Sequence, residues 1–449
     1  MELQHSSETS GNPSHSKNGA QTKSAPRPQS KPAADLYDFF NRCLEDFPFQ
    51  IHIHDWTGAD YSLGRGQAHW YGEPLNITIK TSEAAQVLLS GNSLGFLEKF
   101  LEGDVDLSGN LYCLSEITPH VQAKLTPMQI FFALIQHSLF QSKSRAKVNV
   151  KSHYDIPQEA LNLYLDQKYM SYSCGMFEDP SHYDRQELIR VGVGENDQFD
   201  SLEKSMWRKF KDAIDYIDPA DGETVLDVGC GYSGQLAVAL ENFPKAKIVG
   251  WTHSSNQARE GRKMLAPFSS NTWEIHEGDY REETRVFDHI TSTGMISHVG
   301  PRGLVPYVKE VRKRIKLGGR YVHHALMRPH CDLPHDFYVS YVFHKKYVWP
   351  GFHWFTVGTH VTALENNGFE VQRLVNLSAH YGKTTAAWYE RMMAHKAEMI
   401  EALGEPTFRA WQIFLAGISG SFLNHGTHVY RLYCEAVPTS DYGFIRRRS

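Results

Sequence analysis

The run "VLDVGCGYSG", residues 225–234, sets an acid, Asp227, just ahead of three glycines, Gly229, Gly231 and Gly234. Val225, Leu226 and Val228 suit a strand buried on both faces, and the glycines permit a tight turn and a close approach of backbone to a ligand. By spacing alone "GCGYSG" fits the G-x-G-x-x-G dinucleotide pattern, which would seat a pyrophosphate on the N-terminus of the next helix. Asp227 argues against that ligand: a carboxylate at the strand end repels a diphosphate and accepts hydrogen bonds from a cation. An amino-acid-bearing nucleoside such as S-adenosylmethionine satisfies both features. A glycine-rich strand-to-helix turn that holds nothing is the competing reading.

The elements that must position this turn alternate. After "VLDVG" come a helix from Gly234, the strand "KIVGWT", a helix over "NQAREGRKML", then "WEIHEGDY", "FDHITSTG", a helix over "LVPYVKEVRKRI" and "GGRYVHHAL". This alternation predicts a right-handed, parallel α/β sheet, with the glycine turn at the edge where open sheets bind ligands. "GFEVQRLV" and "THVYRLYCEAV" are expected to complete it as antiparallel strands on either side of a large helical insertion. Upstream, "FQIHIHDW" and "LNITIKT" read as strands and "SEAAQVLLSG" as a helix, a small α+β domain over 35–122. The Ser-, Pro-, Asn- and Lys-rich residues 1–34 bury too little apolar surface to order and are expected to be a disordered tail. Between the domains, Thr126 and Pro127 open an apolar run ending in Lys143, Arg145, Lys147 and Lys151. That amphipathic linker helix, 123–150, either docks the N-terminal domain or lies on an anionic membrane.

At 449 residues with a formal net charge of -5, the chain is long enough for several domains and carries no global attraction for nucleic acid. Its six cysteines lack C-x-x-C spacing, so neither a zinc cage nor a disulfide framework is predicted and no metal is expected. No apolar stretch reads as a signal core or a membrane span. The expected location is the cytoplasm, with peripheral attachment to a membrane as the open alternative.

Several further motifs, in order, carry a resemblance: "HYDIPQEALNLYLDQKYMSYSCGMFED", "GWTHSSNQ", "GDYRE", "GMISHVG" and "HYGKTTAAWYERM". With the glycine turn they make the chain similar to the cyclopropane-fatty-acyl-phospholipid synthases and mycolic acid cyclopropane synthases. The resemblance implies a class I methyltransferase Rossmann-like sheet with helical insertions over 151–440. It implies methyl transfer from S-adenosylmethionine to a cis double bond of a membrane phospholipid or other lipid acyl chain. It also implies the cofactor residues. Asp227, Gly229, Cys230 and Gly231 would hold the methionyl part, Thr252, His253 and Gln257 the ribose, Asp279, Tyr280 and Arg281 the adenine. Tyr172 and Ser173 would fold over the cofactor as a water-excluding lid. For Asp279 and Arg281 a simple turn or a surface ion pair is the alternative.

A double bond attacking a methyl leaves a carbocation, and a base must then take a proton for the ring to close. The family uses bicarbonate, and the matching residues are Cys174, His324 and Tyr381, with Leu326 offering backbone; a small anion suits such hydrogen-bond donors. Cys174 also reads as a small buried hydrophobe, and His323 competes with His324, which strand phase from Tyr321 favours. Trp388, Tyr389, Phe408, Trp411 and Phe422 are expected to line the acyl channel or fill core. Two departures stand out: Ser297 replaces the glutamate that usually steadies the bicarbonate, and Ile418 replaces a frequent cysteine. Ser297 opens a second outcome, a methyl-branched or methylene chain. A small-molecule methyltransferase of natural-product metabolism and a non-catalytic lipid-binding relative are the rival readings, and a homodimer is one oligomeric alternative.

Overall fold

Val225, Leu226 and Val228 are almost fully buried in β5 (Thr224–Val228), the strand on which the rest of the large sheet is built. The computed structural model describes residues 28, 30–122, 156–191, 199–329, 343–344, 346–349 and 352–438. The expected linker helix, 123–150, and most of the expected tail lie outside them. The helix Lys31–Leu44 begins inside the range assigned to that tail. Pro32 suits its first turn, and Leu36, Phe39, Phe40 and Cys43 bury one helical stripe.

The N-terminal sheet comprises β1 (Ile51–His54), β2 (Asp60–Leu63), β3 (Leu75–Ile79) and β4 (Val105–Gly109), in the order β2-β1-β3-β4. The large sheet adds β6 (Lys247–Thr252), β7 (Trp273–Glu277), β8 (His289–Thr293), β9 (Arg320–Met327), β10 (Phe369–Asn376) and β11 (His428–Ala436). Its seven strands run β10-β11-β9-β8-β5-β6-β7, parallel from β9 to β7, with β11 antiparallel to both its neighbours. The alternation read from the sequence therefore gives the class I methyltransferase sheet, and the helical insertion, Ser378–Ala394, Lys396–Leu403 and Glu405–Leu423, lies between β10 and β11.

Helices cover both faces. Leu202–Ile217, Gly234–Asn242 and Ser255–Leu265 pack with Val225, Val322 and Tyr433 on one side; Leu304–Lys313 and Val357–Glu365 pack with Leu226, Tyr321 and Leu432 on the other. Among the described residues no helix is long and apolar enough to cross a membrane. Cys43, Cys113, Cys174, Cys230 and Cys434 are buried free thiols.

The segment 156–191 runs as a strap across the end of the sheet, and one side chain secures it. Arg391, 1% exposed, donates to the backbone carbonyls of Leu165 (3.3 Å), Leu188 (3.3 Å) and Arg190, and to the Glu203 carboxylate at 2.8 and 3.1 Å. Glu203 is equally buried and begins the Leu202–Ile217 helix. Removing the guanidinium leaves a buried carboxylate without its cation, so Arg391→Met should cost about 3–5 kcal/mol. The thermal midpoint is expected to fall, and Arg391→Met/Glu203→Leu should recover part of the loss. An unchanged midpoint in the single variant would show that the strap is held elsewhere.

Candidate active site

The glycine turn folds back onto the end of β6. The amides of Gly229 and Cys230 both donate to the Trp251 carbonyl, at 3.0 and 2.9 Å. Gly229 and Gly231 have φ of +85° and +53°, in the left-handed region that favours glycine. A Cβ at Gly229 would lie 2.9 Å from Met295 Cβ, whereas one at Gly231 would meet nothing within 4 Å among the described residues, so space lies over the turn there. The Cys230 thiol turns back into the fold, where a Cβ on Gly250 would lie 2.8 Å from its sulfur. Gly261 likewise leaves room for Ser233 Oγ. These two supporting glycines went unread in the sequence, because what they accommodate comes from another element.

Asp227 is 3% exposed and accepts a 2.8 Å hydrogen bond from the Thr291 hydroxyl; among the described residues no cation bonds to it. Burial pushes its carboxyl up to about 7, against the pull of Thr291 and of Lys209. A buried carboxylate without a bonded cation beside an open glycine fits the methionyl part of S-adenosylmethionine. On β6, the Thr252 hydroxyl donates to Gln257 Oε1 at 2.7 Å and His253 is exposed. Asp279 and Arg281 bond to one another through two Nε contacts of 2.9 and 3.0 Å, and Asp279 also accepts from the Arg281 amide. Their side chains thus form a local turn and ion pair at the end of β7. Tyr280 is part-buried, edge-on to Tyr307 at 5.8 Å.

The strap closes over this end of the sheet. Gln158 Oε1 accepts from Tyr232 Oη at 2.9 Å and Asn256 Nδ2 at 2.7 Å, linking the strap to the glycine turn and to the helix after β6. Asp166 shapes the bend by accepting from the Tyr169 and Ser171 amides, each at 2.6 Å. Beneath it lies Lys209, 0% exposed, donating to Ser171 Oγ, to Ser173 Oγ at 2.8 Å and to Met206 Sδ at 3.3 Å. Burial lowers this amine to about 7, although Asp166, Cys174 and Asp227 all favour its charge. Lys209 was not singled out from the sequence, yet the signal is there: it sits on the same helical stripe as Met206, Ala213 and Ile217. The Tyr172 ring stacks on Trp388 with centroids 4.9 Å apart and 8° between planes.

Cys174 is fully buried and its thiol donates to the carbonyls of Gly175 (3.1 Å) and Leu377 (3.7 Å). Burial raises it to about 12, so it is a hydrogen-bonding thiol at neutral pH. Tyr381 lies edge-on to Trp388 at 5.9 Å, its hydroxyl pushed well above the usual phenol range by burial and by Cys174. The two adjacent histidines occupy opposite faces of β9. His323 bonds to Tyr321 Oη (2.8 Å) and His360 Nδ1 (2.9 Å) on the face covered by Leu304–Lys313. His324 faces Lys209 and Arg431, and its Nδ1 is buried without a hydrogen-bond partner. Burial, Arg431 and Lys209 hold its imidazole neutral. Ser297 Oγ is likewise buried without a partner, and the Ser297 carbonyl accepts from the His353 amide at 2.8 Å.

Of the expected channel residues, Trp388 and Trp411 flank Tyr172, while Phe422 packs on Tyr381 at 4.9 Å. Phe408 is buried core. Tyr389 packs against Tyr112, which follows the N-terminal sheet, at 5.2 Å, beside the Tyr112–Glu390 hydrogen bond. Among the described residues no group of acids, histidines and cysteines is arranged to hold a metal ion.

Residues 141–432 match the family described as mycolic acid cyclopropane synthetase. The chain is 28% identical over 357 residues to the cyclopropane-fatty-acyl-phospholipid synthase of Escherichia coli (strain K12), 78% of this chain and 85% of that protein. It is 30% identical over 385 residues to a probable fatty acid methyltransferase of Pseudomonas putida, 84% of this chain and 90% of that protein. A mycolic acid cyclopropane synthase solved with SAH and CTAB overlays with a TM-score of 0.56 at 24% identity, covering 66% of this chain and 99% of that one. That overlay shows the fold.

Two outcomes are expected at the glycine turn. Gly231→Val costs about 1–2 kcal/mol for a left-handed β-branched residue but projects into open space, so the fold should survive while calorimetric binding of S-adenosylhomocysteine disappears. Unchanged affinity in the folded variant would remove the turn from the site. Affinity for S-adenosylmethionine should rise with pH through about 7, because below it Asp227 is protonated and Lys209 adds a repelling charge. Asp227→Asn should bind weakly with a shallower pH dependence. S-adenosylhomocysteine, without the sulfonium charge, should respond less; an equal response would point to another group.

Proposed function

The chain belongs to the mycolic acid cyclopropane synthetase family and is an S-adenosylmethionine-dependent methyltransferase, and from that premise we propose that it methylates a cis double bond of an unsaturated lipid acyl chain to give a cyclopropane. The observation that supports this most is where Cys174, His324 and Tyr381 sit. All three are buried: Tyr381 packs on Trp388 of the aromatic wall that Tyr172 and Trp411 share, Cys174 acts on Tyr381, and His324 faces Lys209 and Arg431, which also act on Cys174. A carbocation survives only where water is excluded, and π-faces add attraction for a passing cation. Bound at Asp227 and Gly231, the cofactor supplies an electrophilic methyl. The protein's own part is to hold the acyl chain against that wall and to keep a small base near the new methyl. Bicarbonate is that base in this reading, hydrogen-bonded by Tyr381 and His324 beside the Cys174 sulfur. The lipid class follows the relatives, a phospholipid synthase and a probable fatty acid methyltransferase.

Ser297 favours a second product. Its hydroxyl is buried and unpartnered where the family pattern has a glutamate, so the base has a shorter, uncharged neighbour there. A base less firmly placed can remove a different proton, giving a methylene chain or a methyl-branched chain that keeps a shifted double bond. Expression in a host lacking its own cyclopropane synthase, followed by gas chromatography of fatty acid methyl esters, tests both. New cyclopropane esters support the first reading, and methyl-branched or methylene esters the second; no methylated lipid would overturn both. Ser297→Glu is expected to move the product ratio toward the ring if the second reading holds and to leave it unchanged if the first does.

A further inference from the structure

Arg431 is a charged side chain that the reading above leaves unused. It is 0% exposed, in β11, among the apolar residues Val429, Leu432 and Tyr433. Only one terminal nitrogen of its fork has partners: Nη1 donates to Asp212 Oδ2 (2.6 Å), to the Lys209 carbonyl (2.9 Å) and to Met176 Sδ (3.7 Å). Nε and Nη2 are buried and have no hydrogen-bond partner among the described residues. In the β9–β11 register Arg431 stands directly opposite His324, whose Nδ1 is also buried and unpartnered. Side chains directly opposite in an antiparallel pair lie about 5 Å apart at Cβ. Arg431 also acts on Cys174, as Lys209 does.

Buried donors without acceptors are costly, and more so on a charged group. Two such donors on Arg431, facing an imidazole nitrogen that either donates or accepts according to its tautomer, call for an acceptor lodged between the strands and the strap. All three atoms are walled off from solvent, so the missing partner is small; an acyl headgroup is too large. A planar guanidinium with two free N–H directions matches a planar oxyanion.

We propose that Arg431 is the cation that holds the bicarbonate base of this site, together with His324, and thereby serves where Ser297 offers no charged side chain. This deepens the function proposed above and rests on it for the identity of the anion, but the binding it predicts is measurable without turnover. Lys209 stands nearby on the Leu202–Ile217 helix, yet its amine is already committed to Ser171 and Ser173. Asp212, the partner of Nη1, also accepts from Tyr433 Oη and lies at the outer end of the fork.

The test is thermal stability of the full chain in carbon-dioxide-free buffer titrated with sodium bicarbonate, with sodium chloride at matched ionic strength as control. Wild type should gain a saturable rise in midpoint that chloride does not give. Arg431→Gln should weaken the bicarbonate dissociation constant by about 10–100-fold, the loss of charge-assisted hydrogen bonds, while still binding S-adenosylhomocysteine. Should that variant fail to fold, Arg431→Lys decides, with charge kept and the fork lost and an expected weakening of about tenfold. Asp212→Asn breaks the ion pair but leaves the guanidinium; its midpoint should drop while the bicarbonate response stays. The proposal is overturned if wild type shows no bicarbonate response, if the folded Arg431 variant responds as wild type does, or if Asp212→Asn loses the response as fully as the Arg431 variant. A wild-type response without any methylated lipid would overturn the lipid reading and leave Arg431 as an anion-binding residue.

Discussion

The buried Arg391–Glu203 pair is the constraint on which the rest of the site depends. A single guanidinium reaches carbonyls at residues 165, 188 and 190 and a carboxylate on the Leu202–Ile217 helix. It thereby ties the middle and the far end of the strap to the helical insertion and to the sheet-covering helix. Desolvating two charges is costly in itself, and only the added carbonyl hydrogen bonds and the Coulombic attraction offset it. Such a pair defines geometry more than it adds stability. With it in place, Ser171 and Ser173 are held on the Lys209 amine, which acts in turn on Asp227, and Tyr172 is laid against Trp388.

The space beneath the strap is unusually rich in buried charge. Lys209, Asp166, Asp227 and Arg431 are all close to fully buried, and each changes its neighbours' protonation more than water would allow. Asp227 is raised and Lys209 lowered toward the same range, so a small electrostatic change at this site moves protons between neutral and charged forms. A cationic ligand is such a change. The same dryness that perturbs these groups would protect a carbocation, so electrostatics and chemistry depend on one feature, the closure of the strap.

The sheet itself separates two kinds of histidine. Tyr307, Tyr321, His323 and His360 form a chain of hydrogen bonds on one face, a packed polar network within the core. One residue along, His324 turns to the other face and keeps a nitrogen unpaired. Period-two alternation alone sends neighbours to opposite sides, and the register with β11 then sets Arg431 against His324. The segment that carries the N-terminal sheet braces the helical insertion: Tyr112 reaches Glu390, and Arg409 binds the carbonyls of Phe100 and Val105.

Much of this was legible in the chain. Strand and helix alternation from residue 224 onward, the glycine turn and the antiparallel completion by β10 and β11 follow from local hydrophobic period and from glycine's conformational range, both local properties. Asp227 was legible for the same reason, as an acid inside an apolar strand. Lys209 and Arg431 carried the same signal, a charge on an apolar stripe, but periodicity says only that such a residue points inward and not what it meets there. The start of the first helix at Lys31 was missed because Pro32 and its polar flanks read as tail until Phe39, Phe40 and Cys43 have a core to join. What the tertiary structure alone decided is proximity: that Arg391 ties positions about 200 residues apart, that Asp279 and Arg281 satisfy one another, and that Arg431 faces His324. Sequence fixes which side chains must be buried, because burial follows local pattern; which buried groups become partners depends on strand order and register, which only the assembled chain contains.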